Sequence, residues 1–243
     1  MTAITLGTDI FTGEVVQQPL SRFTHMLVAG STGFGKSVFL LQLISQMVRH
    51  PDIDAVHLVD LKEGVEFNAF EHHPNVTIAW ELEDLAILIG RLADTVRERQ
   101  QHLRKQRQRR WSGPRTVLVI DEYSEIQWRA ADKATRMQLL DTLNRLAAGS
   151  RSAGLILIAA TQKPTVDAMD SAFSANLPTR VCFKVASNLV AAMVLGTLDD
   201  LRREPGLDPA TLRRGWCVMR DGLTGEARYL QPHVAPEAEE TRA

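Results

Sequence analysis

The octet Gly30-Ser31-Thr32-Gly33-Phe34-Gly35-Lys36-Ser37 constrains this chain more than any other feature. It fits G-x-x-x-x-G-K-[ST], and it stands between an apolar run, His25 to Ala29, and a helix-like run beginning at Lys36. That strand-loop-helix setting is what a phosphate-binding loop requires. Glycines let the backbone curl until successive N–H groups point inward at phosphate oxygens. The helix start adds the positive end of its dipole. Lys36 supplies a point charge for the β/γ-phosphates, and the Ser37 hydroxyl suits Mg²⁺. The expected nucleotide contacts run from Gly30 through Val38, with ATP and Mg²⁺ as ligands.

Around this loop, strand-like and helix-like runs alternate, which predicts an α/β fold with a mostly parallel central sheet flanked by helices. Residues 3–20 hold two short β-like runs, read as a small N-terminal hairpin packed on the core. Core strands are expected at 25–29, 54–59, 76–79, 117–120, 155–160 and 180–185. Val117 to Ile120 is wholly apolar, as in a central parallel strand covered on both faces. A helix is expected from Lys36 to about His50. A long amphipathic one starts near Glu83, with Leu85, Leu88, Ile89, Leu92 and Val96 as its buried stripe. Ser112-Gly113-Pro114 is expected to end it. Another covers about 132–148, with Met137, Leu140, Leu143 and Ala147 inward and Gly149 as its stop. Helical segments near 187–202 precede C-terminal β additions at 216–219 and 227–230. The domain reading is a hairpin over 1–20, a motor domain over 21–235 and a disordered acidic tail over 236–243.

The second chemical signal is Asp121-Glu122, directly after the apolar strand. A carboxylate at that strand end can reach Mg²⁺, and this is the role assigned to Asp121 together with Ser37. The neighbouring Glu122 can act as general base on the attacking water. Thr161-Gln162 end the next buried strand, where ligand crevices open in parallel sheets, so Gln162 is read as the γ-phosphate sensor. Asp60-Leu61-Lys62 end the second core strand and could touch the nucleotide, a neighbouring subunit or neither. P-loop ATPases can borrow an arginine across a subunit interface, and Arg151 and Arg180 are the candidates. From Arg97 to Arg115 there are eight cations against the single acid Glu98. Arg104, Lys105 and Arg107 within that run, and Lys163 beside the sensor, are candidate DNA-phosphate contacts. The bland reading is a solvated helix end, since cations are favoured near a helix C-terminus.

Composition excludes some classes. No apolar run approaches the roughly 20 residues that span a bilayer, so the chain reads as cytoplasmic, with a partner able to recruit it to a membrane. Cys182 and Cys217 stand singly in apolar segments and read as small buried hydrophobes. The pair His72-His73 lacks acids or cysteines at ligand spacing. The four tryptophans, Trp80, Trp111, Trp128 and Trp216, read as packing residues. A net charge of −1 gives no global hint of nucleic acid, so such a role needs a local basic surface.

With these residues in place the chain resembles the FtsK/SpoIIIE family of DNA translocases. The resemblance runs from about residue 5 to 186. It rests on Leu6-Gly7-Thr8-Asp9-Ile10 with Thr12-Gly13-Glu14, His25 to Ser37, Asp60-x-Lys62 and Val119-Ile120-Asp121-Glu122. It continues through Ser152-Ala153-Gly154, Ala160-Thr161-Gln162-Lys163-Pro164-Thr165-Val166-Asp167 and Ala175-Asn176-Leu177-Pro178-Thr179-Arg180-Val181. It implies a RecA-like P-loop NTPase core, a homo-hexameric ring around double-stranded DNA and ATP bound between subunits. Phe34, Leu61 and Lys163 depart from the family's usual residues, and Phe34 could pack on a neighbouring subunit. The membrane segments and orientation-reading winged helix of the chromosome-segregating members are not seen in this sequence. The implied role is therefore DNA transfer of a plasmid, integrative element or phage, with a membrane-bound, relaxase or replication protein as possible partner. The alternatives are a type VII-like protein-secretion ATPase and a nucleotide-binding interaction module without turnover.

Overall fold

The computed structural model describes residues 3–62, 65–165, 169–202 and 204–236. The acidic residues 237–243 and the motif residues Val166 and Asp167 lie outside the described residues. Ten strands form one sheet. They are β1 (Ala3–Asp9), β2 (Val15–Pro19), β3 (Met26–Ala29), β4 (Ile53–Val59), β5 (Val76–Ala79), β6 (Arg115–Ile120), β7 (Leu155–Thr161), β8 (Thr179–Cys182), β9 (Cys217–Arg220) and β10 (Ala227–Gln231). The order is β2-β1-β10-β9-β8-β3-β7-β6-β4-β5. From β8 to β5 all neighbours are parallel, and from β2 to β8 all are antiparallel. The N-terminal hairpin is therefore not a separate layer: β1 pairs with β10 and extends the same sheet.

Strand alternation splits the core in two. Met26, Val28, Val117, Val119, Ile156 and Ile158 point to one face, where helix α1 (Lys36–Met47) packs through Phe39, Leu40, Leu43 and Ile44. Leu27, Ala29, Leu118, Ile120, Leu157 and Ala159 point to the other. There they meet α2 (Leu82–Gln106), α3 (Ser124–Arg129), α4 (Lys133–Gly149), α5 (Ser171–Ala175) and α6 (Asn188–Leu195). Val117 to Ile120 are fully buried because both faces are covered.

Five expectations are corrected. Helix α2 stops at Gln106, not at Ser112-Gly113-Pro114. Arg107 turns into the left-handed region at φ 55°, and its N–H and that of Gln108 return to the carbonyls at Arg104 and Leu103. The chain then folds back so that the Trp111 N–H reaches the Ser152 carbonyl at 2.8 Å. In α4 the inward residues are Leu139, Leu143, Leu146 and Ala147, with Leu140 half-buried against the same core as expected, while Met137 is 58% exposed. Six helical steps place Met137 about 120° around the axis from Leu143. Trp128 is 62% exposed and does not serve core packing. Strand β8 ends at Cys182 and α6 at Leu195, where Gly196 adopts φ 82°.

Cys182 and Cys217 are buried, and burial pushes the Cys182 thiol up to about 12 and that of Cys217 further. His25, 2% exposed, accepts the Leu157 N–H on Nδ1 at 3.0 Å. Burial, then the charge of Arg151, lowers its pKa to about 4. Above pH 6.5 it is neutral in both folded and unfolded states. Between pH 6.5 and 4 only the unfolded state takes up the proton, so stability falls with acidification, by on the order of 3 kcal/mol in full. Replacing it in a His25→Asn variant keeps an acceptor for Leu157 and removes the titration. Urea midpoints at pH 7 and pH 4.5 should fall less in the variant than in the wild type, and an equal fall contradicts this account.

Candidate active site

The carboxyl ends of β3, β6 and β7 lie side by side, and the motif residues follow each of them. After β3 comes the glycine loop. Its Gly30 N–H donates to the Thr161 carbonyl (3.2 Å) and its Ser31 N–H to that of Lys184 (2.8 Å). A Cβ on Gly30 would lie 2.5 Å from the Phe183 Cβ, so only glycine fits there. Gly35 caps α1 at φ 115°, again a conformation that suits glycine. Phe34 packs within its own chain: its ring sits 4.8 Å from the Lys184 ammonium, and its carbonyl accepts the Gly215 N–H at 3.0 Å. The ring thus has a cation–π partner within its own chain.

Lys36, at the first turn of α1, is 4% exposed and reaches the end of β6. Its ammonium lies 2.6 Å from Asp121 Oδ1 and 3.1 Å from the Asp121 carbonyl. Glu122, also buried, is held by donors alone. Its Oε1 accepts from Ser124 Oγ (2.7 Å), Thr161 Oγ1 (2.8 Å) and the Gln162 N–H (3.2 Å). Its Oε2 accepts only that same N–H, at 2.9 Å, which leaves it acceptor capacity for a water. Gln162 uses its side-chain oxygen to accept from Thr32 Oγ1 at 2.7 Å, so its NH₂ remains to donate. Thr32 thereby ties the phosphate loop to the end of β7.

Two contributors were not foreseen. Ser37 Oγ donates to Glu66 Oε1 at 3.1 Å. Glu66 is brought there by Asp60, whose buried carboxylate accepts the N–H groups of Lys62 and Glu66, both at 3.2 Å. Burial and then the charge of Asp121 push the Glu66 carboxyl above its ordinary range. The second is Arg214, which with Gly215, Gln231 and Pro232 forms the far wall of a cleft of about 420 Å³. The near wall is the loop from Ser31 to Val38 with Lys62, Glu66 and Gln162. A lone Glu and a lone Arg carry no local signal, and only the fold brings them here.

The donor set suits a nucleotide with Mg²⁺. The oxygens of Ser37, Asp121 and Glu66 are hard ligands, few enough to leave room for phosphate oxygens and water. Backbone N–H groups, Lys36 and the helix start offer positive charge to phosphates.

The other candidates lie elsewhere. Arg180, on β8, is half-buried and donates to the Ser174 hydroxyl and carbonyl at 2.8 and 2.5 Å. Arg151 is exposed, in a tight helical turn before the amino end of β7. Arg104, Lys105 and Arg107 are exposed around the end of α2, and Lys163 is exposed just past Gln162. No helix among the described residues is long and apolar enough to cross a membrane.

Residues 1–118 match the FtsK/SpoIIIE family model. The DNA translocase FtsK of Borreliella burgdorferi is 29% identical over 210 residues, covering 79% of this chain and 26% of that protein. This chain thus spans about a quarter of the length of that relative. The pCW3 conjugation coupling protein TcpA, solved as a monomer form with ATPγS, has a TM-score of 0.80 and 24% identity. That match covers 96% of this chain and 66% of TcpA. The cytoplasmic domain of the Thermomonospora curvata type VII secretion ATPase EccC has a TM-score of 0.71 and 22% identity, over 96% of this chain and 28% of its own. These two likenesses are of fold. The sequence match, the shared fold and the assembled phosphate loop lead to one conclusion: this chain is a P-loop ATPase similar to the FtsK/SpoIIIE family.

Proposed function

We propose that the chain is the motor of a double-stranded DNA translocase, turning over ATP between the subunits of a hexameric ring, in transfer of a mobile element or phage genome. The observation that carries the reading is that Lys36 and Gln162 line one cleft with the glycine loop, with Asp121 bonded to the Lys36 ammonium and Glu122 to the Gln162 N–H directly behind them. Bound Mg²⁺ would offset phosphate charge, with Ser37, Asp121 and Glu66 as the residues to hold it.

The chain's own residues do the rest. Loop N–H groups and Lys36 bind the phosphates. Glu122 Oε2 takes a proton from the attacking water. The Gln162 NH₂ donates to a γ-phosphate oxygen, and through Thr32 its position depends on the state of the loop. For the arginine supplied in trans, Arg151 is preferred to Arg180, because Ser174 already occupies the Arg180 guanidinium. Lys163, Arg104, Lys105 and Arg107 are the proposed surface contacts to DNA phosphates.

A secretion ATPase is the second reading, favoured by the fold shared with EccC. The two separate on the stimulating ligand. A DNA motor speeds its ATP turnover with duplex and elutes as a larger assembly in ATP. A secretion motor responds to a secreted peptide and ignores duplex.

A further inference from the structure

On the side of the sheet away from the glycine loop, Arg109, Arg110, Arg115 and Arg151 line one cleft of about 330 Å³. Its other walls are Ser21, Phe23, Trp111, Ala148, Gly149 and Ser152, with no carboxylate among them. Several arginines elsewhere in the chain do meet carboxylates. Arg99 meets Asp54 at 3.1 Å, Arg129 meets Glu81 at 2.7 Å and Arg220 meets Asp200 at 2.8 Å. Among the described residues, none of the four cleft arginines has such a partner. Burial, and after it the charge of Arg110, disfavours the charged form of Arg115; Arg151 acts the same way, and Asp52 alone opposes them. Like charges crowded in this way repel, and an anion between them removes the repulsion.

The crowding is built, not incidental to a frayed helix end. Arg109 and Arg110 lie beyond the end of α2, on the segment anchored by Trp111. The Trp111 indole donates to the Pro114 carbonyl at 2.9 Å, and its ring lies 5.0 Å from the Arg99 guanidinium. Its backbone N–H is held by Ser152, the residue after Arg151. The two arginine-bearing segments are thus locked to each other across the cleft.

We propose that this cleft is a binding site for phosphate groups, which planar guanidinium forks pair in bidentate fashion. It cannot serve the nucleotide of its own chain. Arg115 begins β6 and Asp121 follows its end, six residues later. At about 3.3 Å per residue that separates the two sites by about 20 Å. The phosphates come either from a duplex backbone or from the triphosphate held by a second copy of the chain. With duplex as the source the site is independent of the nucleotide cleft; with a second copy's triphosphate it rests on the reading of that cleft as an ATP site.

The test is an Arg109→Gln/Arg110→Gln double variant of the whole chain, both residues being exposed and free of structural bonds in the fold. An unchanged thermal melt checks folding. Binding of a fluorescein-labelled duplex is followed by anisotropy across salt concentrations, and ATP turnover without DNA is followed across protein concentrations. If duplex fills the cleft, affinity falls about tenfold or more and the slope of log affinity against log salt drops by about two. If a second copy's nucleotide fills it, duplex binding is kept while the rise of specific turnover with protein concentration is lost. The proposal is overturned if both readouts match the wild type.

Discussion

An amide in place of the Glu122 carboxylate is expected to lower ATP turnover by about 10²–10⁴-fold while nucleotide binding is kept. The hydrogen bonds say why the Glu122→Gln chain should still fold. Ser124 and Thr161 present hydroxyls to Oε1, and hydroxyls can rotate to accept instead. The glutamine can therefore turn its NH₂ toward them and its oxygen toward the Gln162 N–H, which donates at 2.9 Å to Oε2. Packing survives, but an amide oxygen cannot take up the proton of the attacking water. Steady-state phosphate release beside the affinity of a fluorescent ATP analogue checks this. A variant keeping more than about a tenth of the wild-type rate removes Glu122 from the role of base.

The Lys36→Met variant has a second, separable effect. Lys36 and Asp121 form a buried pair at 2.6 Å, with side-chain exposures of 4% and 5%. Removing the ammonium leaves the Asp121 charge buried without its partner, at a cost of about 3–5 kcal/mol. It also removes the point charge meant for the β/γ-phosphates. Both stability without nucleotide and turnover should fall. Adding Asp121→Asn should restore much of the stability, because the uncompensated charge is gone, and none of the turnover. Urea unfolding of the two single variants and the double variant measures the coupling. Additive losses in stability would show that the pair does not act as described.

The parallel half of the sheet was legible because its strands carry short apolar runs bounded by polar ends. Val117 to Ile120 and Leu155 to Ala160 can be buried only between two layers, and they are. The glycine loop was legible because its backbone demands are local: Gly35 needs its φ of 115° whatever surrounds it. Asp121 and Glu122 were legible as a carboxylate pair at a strand end. What the sequence hid depends on distant contacts. Glu66 is one of 29 acidic residues, and only the Asp60 turn carries it to Ser37. Arg214 reaches the cleft because the Gly215 N–H bonds to the Phe34 carbonyl, far back in the chain. The early end of α2 was hidden because its stop is a non-glycine residue in the left-handed region, Arg107. Met137 misled through spacing, since a single apolar residue in an amphipathic helix does not fix which arc faces inward. The basic run from Arg97 to Arg115 looked like one patch. The fold divides it into an exposed helix end, paired arginines such as Arg99, and the cleft shared with Arg151.

The central claim is that this ATP cleft drives movement of DNA. Its most direct test is the rate of phosphate release by the wild-type chain with and without duplex DNA, with Glu122→Gln as the baseline. The account predicts a rate that rises with duplex in the wild type and stays at baseline in the variant. A wild-type rate above baseline that is indifferent to duplex and rises with a secreted peptide would contradict it.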